Sequence, residues 1–236
     1  MIKTVLFDLD GTLLPMEQEV FVKDYLNRLA MYMASYGYDP KNLAAAVMDG
    51  VVAMVKNDGS KSNEQVFWAL FSEKFGKEVL NDIPKFEEFY RTEFQKASAS
   101  CGFKPEAKEI VEFIKNRGFR VVLATNPLFP QIATYSRIRW AGLEPEDFEF
   151  VTTYENSSYC KPNPDYFKQI LEKLELKAEE CVMVGNDSKE DTVPASLGMQ
   201  VFLLTDCLID KGNDIDKFAK GGFEDLKNFI MGLNKE

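Results

Sequence analysis

The run Thr4-Val5-Leu6-Phe7-Asp8-Leu9-Asp10-Gly11-Thr12-Leu13-Leu14 decides how the rest of the chain is read. Its first four residues are apolar or β-branched with no polar alternation, which predicts a strand buried on both faces, and such strands belong to parallel sheets covered by helices. The strand ends on two carboxylates. Asp8 and Asp10 stand two residues apart and so project to the same side. At about 4 Å and an effective dielectric near 20, two like unit charges repel by roughly 4 kcal/mol. A cation or a retained proton is therefore expected between them. Two plainer readings compete: a solvated Asp10-Gly11 turn, and a calcium loop with Asp8, Asp10, Thr12 and Glu19 as ligands. The loop reading is weakened because Gly11 is misplaced and a strand, not a helix, leads in.

The same pattern recurs downstream. Val121-Val122-Leu123-Ala124 runs into Thr125 and Asn126, residues 148–153 form another β-rich run, Cys181-Val182-Met183-Val184 precedes Gly185-Asn186-Asp187, and Val201-Phe202-Leu203-Leu204 precedes Thr205 and Asp206. Helical periods separate them: Ala107, Ile110, Val111 and Ile114 before Gly118, then Phe167, Ile170, Leu171 and Leu174. Strand and helix alternate, so the fold class is α/β, an open doubly wound parallel sheet. Ligands of such sheets sit beyond the carboxyl ends of the strands. The polar residues just named cluster there.

One interval departs from the alternation. Helical periodicity alone fills the chain from Leu14 to Cys101, through Val22, Leu26, Leu29 and Met33, then Leu43, Val47, Val51 and Met54, then Phe67, Phe71 and Phe75, then Phe86, Phe89, Tyr90 and Phe94. This predicts an inserted bundle of roughly four helices. Residues 1–14 and 102–236 are expected to form the α/β core and residues 15–101 an all-helical cap. The cap aromatics, among them Trp68, recur at helical spacing and read first as packing. Residues 211–222 read as a polar surface segment before a last amphipathic helix over 223–233.

Composition removes whole classes of chemistry. The 236 residues include no histidine, which excludes Ser-His-Asp and Cys-His hydrolysis and His-ligated zinc sites. With 28 Lys+Arg against 38 Asp+Glu the net charge is −10, which argues against a nucleic-acid partner, since that binding draws on Lys and Arg. Cys101, Cys160, Cys181 and Cys207 form no CxxC pair and read as four reduced thiols. The start of the chain does not read as a signal peptide, and the longest uncharged stretch, residues 121–136, is too short for a bilayer and contains Pro127 and Pro130. The expected setting is cytoplasmic, with no membrane association. No GxxxxGK[ST] sequence occurs to suggest a P-loop kinase.

Four segments, in order, carry a resemblance. Asp8-Leu9-Asp10-Gly11-Thr12, Ala124-Thr125-Asn126, Lys161 within Cys160-Lys161-Pro162-Asn163-Pro164, and Gly185-Asn186-Asp187-Ser188-Lys189-Glu190-Asp191 together resemble the motifs of the haloacid dehalogenase superfamily. The inserted helices look like that family's type 1 cap. The resemblance implies a phosphatase branch, because dehalogenase and phosphonatase branches lack the equivalent of Asp10. It further implies a magnesium-dependent enzyme acting on a small phosphorylated metabolite through an aspartyl phosphate. Asp8 would be the nucleophile and Asp10 the acid and base, holding a proton that neighbouring carboxylates favour. Lys161 would stabilise the transferred phosphoryl group, with Thr125, the Asn126 backbone and Gly11 around the phosphate. Asp8, the Asp10 carbonyl and Asp187 would hold Mg2+, with Asn186 or Asp191 sharing the task. In the family an acid usually follows the glycine of the last motif directly; here Asn186 intervenes. The alternatives are a phosphosugar mutase, disfavoured because that branch uses a cap histidine, and a catalytically idle binding protein that keeps the fold. Substrate identity and oligomeric state are not legible.

Overall fold

Strand β1 (Thr4–Phe7) is buried along its whole length and lies between β2 (Arg120–Leu123) and β4 (Cys181–Gly185), parallel to both. In the computed structural model, which describes residues 1–212 and 214–233, six parallel strands follow the order β3-β2-β1-β4-β5-β6. This is the doubly wound order, in which the winding reverses at β1. Strand β3 is Phe150–Val151, β5 is Gln200–Leu204 and β6 is Ala219–Gly221. The register sets Phe7 level with Leu123 on one side and Val184 on the other. One residue further on, Asp8, Ala124 and Gly185 share a level at the carboxyl edge.

The period of two sorts each strand between two helical layers. Val5, Phe7, Val121, Leu123, Val182 and Val184 pack with α5 (Pro105–Asn116) and α8 (Phe223–Gly232), through Ile110, Ile114, Leu226 and Ile230. Leu6, Val122, Met183 and Leu203 face the other way, onto Phe167 and Ile170 of α7 (Pro164–Lys173). Helix α6 (Gln131–Trp140) follows the loop after β2.

The insertion contains α1 (Gln18–Ala34), α2 (Pro40–Val55), α3 (Asn63–Phe75) and α4 (Ile83–Arg91), then a 3-10 segment over Glu93–Ser100. Local signals start two of them. Asp39 accepts from the Asn42 amide ahead of Pro40, and Ser62 and Gln65 form a capping box. The chain leaves and re-enters at one place: Met16 pairs antiparallel with Cys101, and the Gly102 amide donates to the Pro15 carbonyl at 2.6 Å.

Two elements differ from the sequence reading. The expected strand over 148–153 has only Phe150 and Val151 in regular pairing, although the amides of Glu149 and Thr152 still donate to β2 carbonyls. Within residues 211–222, read as a polar surface segment, Ala219–Gly221 is a sixth strand, paired with β5; residue 213 lies outside the described residues. An edge strand of Ala-Lys-Gly, two of its residues exposed, carries no apolar run to reveal it.

Candidate active site

Asp8 stands where β1 ends, at the reversal of the winding, and is 7% exposed. Its Oδ1 accepts from Lys161 Nζ at 2.9 Å and its Oδ2 from Thr12 Oγ1 at 3.3 Å. Lys161, 1% exposed, also donates to Asp191 Oδ1 at 2.7 Å. A buried ammonium thus bridges two buried carboxylates. Burial pushes Asp8 up to about 7; the Asp191 and Asp10 charges add to this and Lys161 opposes it. Burial alone would pull Lys161 down, but Asp191 and Asp8 outweigh it and hold the ammonium well above its ordinary value.

The last motif is built around Asp191. Its Oδ2 accepts the amides of Asn186 and Asp187, each at 3.0 Å, while Oδ1 takes Lys161. Both oxygens thus take protein donors, and the residue anchors Lys161 and the turn. Gly185 is required by this packing, since a Cβ there would lie 2.1 Å from the Asp191 carboxylate. Asn186 is likewise turned to structural use: its Oδ1 accepts from Thr12 and its Nδ2 donates to the Cys207 carbonyl at 2.7 Å. It fills the space over Gly11, where a Cβ would meet Asn186 at 2.2 Å and φ is +82°. The next residue, Asp187, is also buried. The Lys189 and Glu190 amides bond Asp187 Oδ1, and Lys211 Nζ sits 2.5 Å from Oδ2.

Thr125 is buried beyond β2, its carbonyl gripped by Thr152 Oγ1 at 2.6 Å and the Tyr166 hydroxyl at 2.8 Å. The Asn126 side chain accepts the Lys161 amide at 3.2 Å and donates to Glu190 Oε2 at 3.1 Å. It ties the lysine loop to the strand end. Cys160, beside Lys161, does not gain thiolate character: burial pushes its thiol up to about 12. All four cysteines are free thiols.

Asp10 meets a residue that the sequence reading missed. Arg137 of α6 is wholly buried, ion-paired with Asp10 Oδ2, bonded to Thr134 Oγ1 at 3.3 Å and stacked 4.3 Å from the Phe129 ring centroid. The group against Asp10 is thus a guanidinium where neighbouring carboxylates were expected. Asp10 Oδ1 is buried with no hydrogen-bond partner among the described residues. The sequence carries little signal for Arg137, because the buried residues of α6 include Thr134 and Ser136 beside Ala133 and Ile138 and form no clean apolar stripe.

A divalent metal fits this donor set. Asp8 and Asp187 offer carboxylate oxygens, suited to magnesium, which commonly takes one or two protein carboxylates and completes its shell with water and substrate oxygen. Burial disfavours the charge on Asp8 even with Lys161 beside it, so a further cation would favour the ionised carboxylate, and Lys211 Nζ already places positive charge on Asp187. Among the described residues no three His, Cys, Asp or Glu side chains close into one cluster, so two carboxylates and a backbone carbonyl are what the protein would supply.

The haloacid dehalogenase-like hydrolase family matches residues 2–193. The chain is similar to pyrophosphatase PpaX of Bacillus cereus (strain ATCC 10987 / NRS 248), at 25% identity over 81% of this chain and 77% of that protein. It is equally similar to pyrophosphatase PpaX of Bacillus mycoides (strain KBAB4), at 25% identity over 81% and 78%. Among solved structures it shares its fold with a HAD phosphatase from Thermococcus onnurineus, with a TM-score of 0.60, 19% identity and coverage of 98% and 99%. It also shares that fold with CbbY from Rhodobacter sphaeroides in complex with phosphate, with a TM-score of 0.59, 16% identity and 96% of each chain covered.

Proposed function

Because the chain belongs to the haloacid dehalogenase-like hydrolases, we propose that it is a magnesium-dependent phosphatase that cleaves a small phosphorylated metabolite through an aspartyl phosphate, an acyl phosphate on Asp8. The observation that carries this reading is the buried Asp8-Lys161-Asp191 bridge at the carboxyl edge of the sheet. A carboxylate held by a buried ammonium, itself fixed by a second carboxylate, is an oriented nucleophile beside a fixed positive charge.

Asp8 attacks phosphorus, the phosphorus–oxygen bond to the alcohol breaks, and Asp10 gives a proton to the departing oxygen. In the second half Asp10 takes a proton from water, the water oxygen bonds to phosphorus, and the Asp8–phosphorus bond breaks to release inorganic phosphate. Of the two Asp10 oxygens, Oδ1 is assigned the proton exchange with the leaving oxygen and with water, because Oδ2 is paired with Arg137. Lys161 neutralises charge growing on the transferred group, and Thr125 with the Asn126 amide binds its oxygens. Asp8, the Asp10 carbonyl and Asp187 would hold magnesium, which would supply positive charge to the phosphate. The helices of residues 15–101 act as a cap that excludes water. The free thiols support a cytoplasmic setting, and among the described residues no helix is long and apolar enough to cross a membrane.

Phosphate release from a panel of phosphorylated metabolites with magnesium tests this. Asp8→Asn is expected to lower turnover by at least about a thousandfold, and EDTA to abolish it. Turnover undiminished by both would overturn the mechanism.

A further inference from the structure

A cavity of about 860 Å³ opens between the inserted helices and the carboxyl edge of the sheet. Its floor is the segment from Leu128 to Ile132, which continues directly from Thr125 and Asn126, together with Tyr154 and Glu155 just past β3. It therefore lies beside the strand that presents Asp8. Phe129 of this floor also covers Arg137, the partner of Asp10. One wall of the cavity, Phe129, thus stands between it and the Arg137–Asp10 pair.

That wall is chosen for rings. Phe67, Trp68, Phe86, Tyr90, Phe129 and Tyr154 line the space, so Phe67, Trp68, Phe86 and Tyr90, cap aromatics read from sequence as packing, border a cavity as well as the core. Its size lies in the upper part of the range of small-ligand pockets. A second phosphate or a two-carbon acid would leave most of it empty. The charges point the same way. Glu19, Glu64, Glu87 and Glu155 line it against Lys23 and Arg91, and Arg91 is already shared by Glu87 at 2.9 Å and Glu88 at 3.6 Å. Burial first, then the charges of Glu155 and Glu87, holds Glu64 above the usual carboxylate range, so these acids act on one another. An anionic leaving group would enter a mouth that is already negative.

We infer that the alcohol this enzyme releases is an apolar, ring-bearing one without an anionic substituent, seated among these aromatic side chains. The inference rests on the phosphatase reading above and narrows it. It separates this chain from its pyrophosphatase relatives, whose named substrate would release a further phosphate.

Benzyl phosphate and 4-carboxybenzyl phosphate test it, since they differ by one remote carboxylate and release alcohols of similar acidity. Pyrophosphate is the anionic reference, and acetyl phosphate, whose small acyl group needs no cavity, reports the core chemistry. For the full chain with magnesium, kcat/KM for benzyl phosphate is expected to exceed that for 4-carboxybenzyl phosphate and for pyrophosphate at least tenfold. Glu64→Gln should narrow the benzyl to carboxybenzyl ratio at least threefold. Leu26→Trp, which places bulk in the cavity, should lower the benzyl to acetyl phosphate ratio at least tenfold. If acetyl phosphate is hydrolysed while either anionic substrate equals or surpasses benzyl phosphate, the inference is overturned and the phosphatase reading stands. If no phosphate ester or anhydride is cleaved, both fall.

Discussion

Asp8 makes the native state sensitive to pH, and the direction follows from burial. Its carboxyl is raised from 3.8 to about 7 in the metal-free site, so between those values the native state holds a proton that the unfolded chain has released. Stability present below pH 4 is then lost as pH rises through 7, at a rate of at most about 1.4 kcal/mol per pH unit. Denaturation midpoints measured in EDTA should fall from pH 5 to pH 7.5 more steeply for the parent than for Asp8→Asn; equal slopes would remove this account. The neighbouring anchor has a larger effect. Asp191→Ala takes one partner from a lysine that is 1% exposed and the acceptor from two amides, which should cost about 3–5 kcal/mol, read as a lowered urea midpoint. At this scale the sequence displayed Asp8 and Asp187, because each falls just past an apolar strand, whereas Lys161, in a loop well past β3, stood out only through the order of the four motifs. The sequence hid the roles of Arg137, Asn126 and Asp191, whose importance lies in contacts 30 to 127 positions away along the chain.

The elements that could be read were those with an energetic reason to be monotonous. Strands β1, β2, β4 and β5 are covered on both faces and so consist of apolar runs, whereas β6 at the sheet edge needs only backbone pairing. The insertion was legible as helices through its 3.6-residue period, but which of its faces meets the core was not. The structure answers this through the start of α3. The Asn63 and Glu64 amides donate to the Ser157 and Tyr154 carbonyls, both at 2.9 Å. The buried Asn63 side chain donates to the Pro127 carbonyl at 3.3 Å and accepts from Asn57 Nδ2 at 2.9 Å. Amides left over at a helix N-terminus thus find acceptors on the core. Asn63→Ala should loosen this seam at a cost of about 1–3 kcal/mol. Hydrogen exchange at the amides of residues 63 and 64 should accelerate about tenfold, the equivalent of about 1.4 kcal/mol, while β1 and β4 amides keep their protection. Unchanged exchange at 63 and 64 would show that the seam does not depend on this side chain.

Across the whole molecule, the boundary between insertion and core is weaker than the sequence suggests. One continuous apolar cluster includes Phe21, Tyr25, Phe89 and Phe94 of the insertion together with Val5, Leu123, Ile138 and Val184 of the sheet and its helices. The join is aromatic: Phe129 lies 5.2 Å from Tyr25 between ring centroids, and Trp140 lies 5.0 Å from Phe94. Units that share a core cannot lose it one at a time without exposing the surface of the other. Large apolar contact therefore favours a single cooperative transition over the independent melting expected of loosely joined domains. Calorimetry should show one endotherm whose calorimetric and van't Hoff enthalpies agree. Trp140→Ala, which opens the join from the core side, should lower the midpoint of the whole transition, at a cost below the roughly 3–5 kcal/mol of a fully buried aromatic, because Trp140 is partly buried. Two resolved endotherms in the parent protein would mean that the insertion is energetically separate, and a shift of only one of them on Trp140→Ala would identify which unit the aromatic join stabilises.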